Sequence, residues 1–393
     1  MNDFVRRKQC SLISLIIPQT KIHHCLVEIL ANWRYSPIQF DCRGTLVRQH
    51  RFLNLLPAIN PECEFMQFLV NDEDVEAFMK YCTELNDLHL PGSGAIFSTP
   101  CDWVLTNSPD IAQHCEPSGA TGTGTGKSFK TNLYAIYALI QSGRTEHAIK
   151  AAMQAGSHGP IVYFVEGRGT RDRAGWLKIT KKPYEEVVMV LVEDLDRASV
   201  AEALVSAGKV DTFGGGVLFD QPLGQGLVNL PTSVGNRSQR STNEQITAAI
   251  DELMGSNDWR NRRTLDALVT RTQSQQSGGD AKTDRVLLCA LLPRKHAHDF
   301  LDHMLIIGVP GANVTYPKLF AGDDGENGRG VEIHHELAQI RMVVERSQAE
   351  VLCEKMISFV KENEYNGVSF YEQPIGDVVR YQQRRARPVL KAA

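Results

Sequence analysis

Along the chain, strand-like apolar runs alternate with segments whose apolar residues have helical spacing. This succession of segments occurs three times. Each repeat opens with an apolar run of strand length, followed by an amphipathic segment with apolar residues every three or four positions. The repeat then continues with a second strand-like run, a polar loop, a third strand-like run, a second amphipathic segment and a last apolar run. The pattern therefore predicts the order βαββαβ in three consecutive repeats, residues 10–108, 130–234 and 285–383.

The strand-like runs also indicate how the repeats pack. The predicted first and last strands are Leu12–Ile17 with Ala95–Phe97, Leu133–Ile140 with Val217–Phe219, and Val286–Leu292 with Val368–Tyr371. Runs such as Val187–Val192 are apolar at every position, which favours sheets buried on both faces. Two helices cover one face of a four-stranded sheet. We therefore expect an α+β fold of three tandem ferredoxin-like units whose remaining sheet faces cover one another as a pseudo-trimer.

Short sequence echoes support the repeats. The echoes are "IIPQTK" (Ile16–Lys21) with "LLPRK" (Leu291–Lys295), "RGT" at Arg43–Thr45 and Arg168–Thr170, and "GVLFDQPLG" (Gly216–Gly224) with "GVSFYEQPIG" (Gly367–Gly376). Each echo is short, but all of them fall in matching predicted elements and in the same order. The common order indicates copies of one unit.

Two segments lie outside the repeats. Residues 109–129 are rich in Gly, Ser and Thr and predict a linker. Residues 235–284 are polar, with one amphipathic helix predicted from Thr242 or Asn243 to the Gly255 stop, and a second through Leu265 and Leu268. We interpret this segment as a helical insert between the second and third repeats.

Composition narrows the class of protein. Apolar residues make up 42% of the chain, charged residues 22%, and the net charge is −4, which argues against nucleic acid as a partner. No apolar run approaches the 18 residues of a membrane-spanning helix, and no cleavable signal peptide is predicted. The nine cysteines are scattered without a C-x-x-C pair, which indicates reduced thiols, a cytoplasmic location and no zinc site.

The βαββαβ order, the "IIPQTK" strand end, the long loop after the second strand and the Gly-rich turn before the last strand resemble the PII family of nitrogen-regulatory signalling proteins. The second repeat matches best, through "EGRGT" (Glu166–Thr170) and "VDTFGGGVLF" (Val210–Phe219). In that family three subunits form a trimer, an adenine nucleotide binds in each cleft between subunits, and a long loop engages a target enzyme or membrane transporter. The resemblance implies a non-catalytic regulator, monomeric as a one-chain pseudo-trimer, with three unequal clefts.

The resemblance also implies ligand-binding residues at the loop bases and in the Gly-rich turns. Backbone N–H groups of such turns can converge on an anion, and an arginine can add charge-assisted hydrogen bonds. The candidates are Arg43, Gly44, Thr45, Gly92 and Gly94 in the first repeat, and Gly167, Arg168, Gly169, Thr170, Gly214, Gly215 and Gly216 in the second. The family's turn carries an acid and a lysine, and here Ala95, Val217 or Val368 follows the last glycine. The ligand therefore stays open among AMP, ADP, ATP and another small anion.

Other interpretations stay open. The loop of the second repeat is basic around Trp176 and is a candidate surface for a partner protein. A ligand-free structural or assembly pseudo-trimer would share the same repeats. The run "TGTGTGKS" (Thr121–Ser128) suggests a P-loop NTPase, although Thr121 replaces the first glycine of the motif and no buried strand precedes it.

Overall fold

The computed structural model describes residues 4–7, 9–33, 35–44, 62–108, 129–169, 184–212, 214–230, 243–254, 284–323 and 330–380. Several sequence predictions lie outside the described residues. They are Thr45, Thr170, the linker up to Ser128 with its P-loop-like run, the basic loop around Trp176, and the second insert helix near Leu265.

The first unit follows the predicted order and adds a short strand at each end. Its elements are β1 (Val5–Arg7), β2 (Cys10–Pro18), α1 (Ile22–Asn32), β3 (Ile38–Arg43), β4 (Glu62–Asn71), α2 (Val75–Leu85), β5 (Gly94–Cys101) and β6 (Trp103–Thr106). The apolar faces of the two helices are buried as their spacing predicts. The buried helix residues are Cys25, Leu26 and Ile29 on α1 and Val75, Phe78, Met79 and Cys82 on α2.

The second and third units repeat this order. The second contains β7 (Leu133–Gln141), α3 (Thr145–Gln154), β8 (Ile161–Gly169), β9 (Tyr184–Glu193), α4 (Asp194–Gly208), β10 (Gly216–Pro222) and β11 (Gly226–Asn229). Helix α5 (Asn243–Met254) follows, where the sequence predicts the first insert helix. The third contains β12 (Arg285–Pro293), α6 (Ala297–Ile306), β13 (Gly311–Thr315), β14 (Lys318–Asp323), β15 (Gly330–Glu345), α7 (Arg346–Glu362), β16 (Ser369–Pro374) and β17 (Val378–Arg380).

Within each unit the strands pair antiparallel in the order fourth, first, third, second. The orders are β5-β2-β4-β3, β10-β7-β9-β8 and β16-β12-β15, with both β13 and β14 on the far side of β15. The chain is therefore a mixed α+β structure in which sheet dominates. Among the described helices, none is both long and apolar enough to cross a membrane.

The helices cover one face of each sheet, and the opposite faces form a core shared by the three units. Each unit has its own helix–sheet core, such as the edge-on contact of Trp33 with Phe78 at 5.1 Å between ring centroids. The shared core joins inner-face residues of all units, including Phe65, Tyr163 and Tyr371. The rings of Phe65 and Tyr163 stack across two units at 6.2 Å. Sheets buried on both faces explain why the strand sequences are almost uniformly apolar.

After its fourth strand, each unit sends a short fifth strand into the sheet of another unit. Strand β6 pairs with β16, β11 with β5 and β17 with β10, so the first unit extends the third, the second extends the first and the third extends the second. A proline precedes each exchange at the same register position. The prolines are Pro100, Pro222 and Pro374, opposite Ser11, Tyr134 and Val286 of the first strands. The exchange closes a ring of three sheets.

Each exchanged segment is anchored by a polar residue of the unit that receives it. In each receiving unit, this residue lies two positions before the proline of the fourth strand. Ser98 Oγ accepts a hydrogen bond from the Gln225 N–H at 3.1 Å. Asp220 Oδ1 accepts one from the Asp377 N–H at 3.0 Å. The third anchor is Glu372, whose Oε2 accepts the Trp103 indole N–H at 3.0 Å. Three different side chains thus perform the same task in three equivalent places.

A buried polar network crosses the shared core and touches all three units. Arg341 donates to the Tyr163 hydroxyl at 3.0 Å and to Gln339 Oε1 at 2.9 Å. Gln339 in turn donates to Gln67 Oε1 at 3.1 Å and to the Tyr371 hydroxyl at 2.6 Å. A buried polar group without partners is costly, so this network favours one arrangement of the units over others.

We predict that Gly216→Ala destabilises the protein more than Gly143→Ala does. Both glycines have positive φ (+124° and +94°), but a Cβ on Gly216 would lie 1.8 Å from the Leu139 carbonyl oxygen, whereas nothing lies within 4 Å of one on Gly143. We expect losses of about 3 and about 1 kcal/mol, measured by chemical denaturation, since only Gly216→Ala adds a backbone clash to the strain. Equal losses would contradict this packing of the turn on the first strand.

Candidate functional site

The described members of the predicted ligand-binding set gather at one end of the three sheets. The first strands end there at Pro18, Gln141 and Pro293, and the Gly-rich turns and the ends of the second strands lie beside them. The second strands of the units also meet at this end, because β3 pairs with β8, β8 with β13 and β14 with β3. Every boundary between units therefore passes through the region in which the sequence predicts ligand sites.

The Gly-rich turns are closed by internal contacts. A Cβ on Gly94 would lie 2.0 Å from the Ile16 carbonyl oxygen, the counterpart of the close approach at Gly216. The Gly92 N–H donates to the Asn229 carbonyl at 2.7 Å, and the Gly215 N–H donates to the Thr212 carbonyl at 2.8 Å. The Gly214 carbonyl accepts the Gln141 side-chain amide at 2.5 Å. The turn geometry thus accounts for these glycines by packing, and an anion-binding role for them stays a prediction.

Arg43 joins the first unit to the second. Its guanidinium lies 3.2 Å from Glu186 Oε1 and 3.7 Å from Glu146 Oε1. Glu186 is buried and also accepts a hydrogen bond from the Thr145 hydroxyl. Gly44 follows Arg43 directly at the end of β3. Arg43 therefore neutralises a buried carboxylate of the neighbouring unit, which leaves it less charge for a ligand.

Arg168 and Gly169 lie where the second unit meets the third. Arg168 pairs with Ala312 of β13, and Gly169 pairs with Gly311. The Arg168 guanidinium contacts Glu166 at 2.9 Å. Gly167 is next to Glu185, whose carboxyl group would be 2.8 Å from a Cβ at Gly167. The whole "GRG" run therefore belongs to the contact between these two units.

The "RGT" echo does not mark equivalent positions. Strands β3 and β8 begin at Ile38 and Ile161, and each pairs with its third strand in the same register. Counted from these starts, Arg43 corresponds to Glu166, and Arg168 lies two residues further along. Because side chains alternate between faces with a period of two, both arginines share a face but sit about 7 Å apart along the strand. Arg43 of the first unit thus corresponds to the acidic Glu166 of the second unit.

A cleft with a volume of about 910 Å³ lies between the second and third units. Its lining residues are Glu166, Pro293, Arg294, Lys295, His298, Tyr316, His335 and Glu336. All but Glu166 belong to the third unit. A volume of this size accommodates a mononucleotide, and the basic side chains suit an anion.

Hydrogen bonds and stacking hold part of the cleft wall in place. The Tyr316 hydroxyl donates to Glu166 Oε2 at 2.8 Å across the unit boundary. Burial and this hydrogen bond raise the pKa of Tyr316 to about 12, so the phenol stays protonated and keeps donating. The Arg294 guanidinium lies 4.7 Å from the centroid of the Tyr316 ring and 3.0 Å from Glu336 Oε2. Arg294, Tyr316 and Glu166 thus form one wall that joins the two units.

Lys295 supplies the cleft with an uncommitted positive charge. Among the residues that the structure describes, no carboxylate lies within ion-pair distance of its ammonium group. His298 lies one helical turn further along α6 and lines the same cleft. In the sequence, Lys295 is marked only as the end of the "LLPRK" echo, and no pattern there selects Arg294, His298 or Tyr316 as site residues. The signal that could have found them is the basic run "PRKHAH" directly after a buried strand.

Metal binding finds no support in the described part of the chain. No group of three or more His, Cys, Asp or Glu side chains there is arranged to hold an ion.

Comparisons with known proteins leave the family open. No protein-family model matches the chain, and no curated protein matches its sequence. Among solved structures it is similar to aspartate kinase from Synechocystis (7% identity, TM-score 0.20), over 95% of this chain but only 44% of that one. It is also similar to a microcompartments protein from Desulfitobacterium hafniense DCB (12% identity, TM-score 0.16, 57% of this chain and 96% of that one). An anthrone oxidase-like protein has 11% identity and a TM-score of 0.18 over 59% and 99% of the chains. Similarities this low carry no inference.

We predict that Arg43 and Glu186 are energetically coupled across the boundary of the first and second units. In a double-mutant cycle with Arg43→Met and Glu186→Gln, we expect a coupling energy of about 1–2 kcal/mol, because removing either partner takes from the other, which is at least partly buried, its closest opposite charge. The free energy of unfolding is measured for all four proteins. The cycle of Lys80→Met and Glu76→Gln, an exposed ion pair within helix α2, is the control and should give about 0.5 kcal/mol or less. Additive effects at Arg43 and Glu186 would contradict the prediction.

Proposed function

We propose that this chain is a PII-like regulatory protein, built as a one-chain pseudo-trimer of ferredoxin-like units. It senses an anionic small molecule, an adenine nucleotide or another small anion, in the cleft between the second and third units. It then controls a partner enzyme or membrane transporter through the loops next to that cleft. The observation that carries the proposal is the cleft with Arg294, Lys295 and His298 at the boundary between units.

The ring of sheets supports the pseudo-trimeric part of the proposal. All three units have the strand order fourth, first, third, second, and each receives a fifth strand from another unit. The boundaries between units are thereby built into the fold, as they are between the subunits of a trimer. A cleft at such a boundary is formed by two units and responds to their relative position.

The chemistry of the cleft supports an anionic ligand. Lys295 and Arg294 can each contribute charge-assisted hydrogen bonds of about 1.5–3 kcal/mol to a phosphate or carboxylate. Glu166 and Glu336 are already engaged by Arg168 and Arg294. Among the described residues, Lys295 has no carboxylate partner, so a ligand anion could pair with it directly. The same anion could compete with Glu336 for the Arg294 guanidinium.

The position of the cleft supports a regulatory role. Glu166 lies near the end of β8, directly before the basic loop of the second unit, and Tyr316 lies between β13 and β14 of the third. A ligand that draws Arg294 away from Tyr316 would change the contact between Tyr316 and Glu166. Occupancy of the cleft is thereby coupled to the base of a loop that we propose as the partner-binding element.

We predict that the protein binds AMP, ADP or ATP in this cleft and that Lys295→Gln weakens binding about tenfold or more, because it removes a charge-assisted hydrogen bond. Isothermal titration calorimetry with the three nucleotides and inorganic phosphate measures the dissociation constants. The matched control is Lys80→Gln, which removes the same charge from helix α2 and should leave them unchanged.

Two results of this titration, and one result of an ATP hydrolysis assay, would separate the alternatives. Absence of binding at millimolar concentrations would favour a ligand-free structural pseudo-trimer. Binding that Lys295→Gln leaves intact but Arg168→Ala abolishes would move the site to the predicted loop base. Hydrolysis of ATP that Lys127→Ala abolishes would favour the P-loop interpretation of residues 121–128.

We also predict that the purified chain is a monomer. Because the fifth strands satisfy the sheet edges within the chain, no second copy is needed to close the ring. Light scattering coupled to size-exclusion chromatography should give a mass near 43.7 kDa at micromolar concentration. A stable trimer of the whole chain would overturn the one-chain pseudo-trimer while leaving the titration result unaffected.

A further inference from the structure

Two cysteines face each other at the base of the long loop of the first unit. Cys42 on β3 and Cys63 on β4 are directly opposite in the antiparallel register. Their Sγ atoms lie 3.2 Å apart, and the Cys42 thiol also approaches the Cys63 carbonyl oxygen at 3.1 Å. A disulfide has an S–S distance of about 2.05 Å, so the sulfur atoms need to approach by about 1 Å. Directly opposite residues of an antiparallel pair have Cβ atoms about 4.5–5.5 Å apart, and a disulfide needs about 3.5–4.5 Å, so a small adjustment suffices.

Cys42 differs from the other described cysteines in its access to solvent. Cys42 is partly exposed, and Cys63 beside it is 8% exposed. The remaining described cysteines are all buried, namely Cys10, Cys25, Cys82, Cys101, Cys289 and Cys353. A small reagent can therefore reach Cys42 first, with Cys63 in place behind it.

The surroundings keep Cys42 mostly protonated, so it reacts slowly, through the small fraction that is thiolate. The hydrogen bond with Cys63, burial and the negative charges of Glu64 and Asp41 raise the pKa of Cys42 well above its ordinary value. A protonated thiol is a poor nucleophile, so the pair does not react indiscriminately. The advantage of the site is proximity, since the second sulfur is already in contact with the first.

We propose that Cys42 and Cys63 form a redox modification site, which closes to a disulfide by exchange with a low-molecular-weight disulfide. The Cys42 thiolate attacks one sulfur of the small disulfide, which breaks its S–S bond and releases one thiol that takes up a proton. The Cys63 sulfur then attacks the Cys42 sulfur and releases the second thiol. Two electrons and two protons pass from the cysteines to the small disulfide, which is reduced to two thiols.

Closing the pair acts on the boundary between the first and second units. Arg43 directly follows Cys42, and its guanidinium contacts Glu186 and Glu146 of the second unit. A bond between Cys42 and Cys63 fixes the ends of β3 and β4 where Arg43 pairs with Glu62. The modification is therefore expected to tighten this boundary, whether or not a ligand binds in the cleft on the other side of the second unit.

Peptide mapping of the intact, folded chain tests the proposal. The folded, reduced protein is equilibrated with mixtures of reduced and oxidised glutathione, then denatured in the presence of N-ethylmaleimide, so that every remaining thiol is alkylated, and digested with trypsin. Cys42 and Cys63 fall in separate peptides, 35–43 and 52–80, each with a single cysteine. We expect these two peptides to appear joined and unalkylated as the oxidised fraction rises. Peptide 22–34, which carries the buried Cys25, is the internal control and should stay alkylated and unjoined.

Variants separate pair formation from simple thiol reactivity. In Cys63→Ser, we expect Cys42 to stop at the mixed disulfide with glutathione, and in Cys42→Ser we expect Cys63 to remain a thiol. Oxidation should raise the midpoint of chemical denaturation of the wild type and leave that of Cys63→Ser unchanged. The wild-type map decides the matter even where a variant folds poorly. The proposal is wrong if wild-type Cys42 takes up glutathione but never joins Cys63, or if peptide 22–34 joins 35–43 as readily as 52–80 does.

Discussion

The structure depends on one constraint: each sheet has two faces and two edges to satisfy, and the helices cover only one face. The fifth strands β6, β11 and β17 meet this constraint by pairing along the fourth strand of another unit. The exchange protects an edge that would otherwise stay open to aggregation and brings the inner faces together. The shared core, the polar network and the clefts between units all follow from that closure.

The three units are alike in backbone but unlike in the residues that meet at the centre. Gln67, Met189 and Arg341 occupy the same register position on their third strands. Three arginines there would place three like charges together in a medium of low dielectric constant. A single arginine, held in a network of phenol and amide groups drawn from all three units, avoids that repulsion. One chain with unequal repeats can therefore hold a core that three identical subunits could not.

The same inequality distinguishes the cleft between the second and third units. After the first strand, the third unit has Arg294 and Lys295, whereas the first has Gln19 and Thr20. At the boundary of the first and second units, Arg43 is instead paired with buried Glu186. A chain built in this way can place a basic cleft at one boundary, and at another a contact whose base carries the Cys42–Cys63 pair.

The sequence by itself determined the order of elements within each unit, because hydrophobic periodicity is local and decides which face of a helix or strand is buried. It also marked the Gly-rich turns and the loop-base arginines as candidate site residues, but not the cleft residues Arg294, His298 and Tyr316. Only the tertiary structure decided the fifth strands, whose partners lie in other units, and the true correspondence of Arg43 with Glu166, which depends on strand register. Register and pairing between distant segments are set by packing of the whole core, and no short window of sequence contains that information.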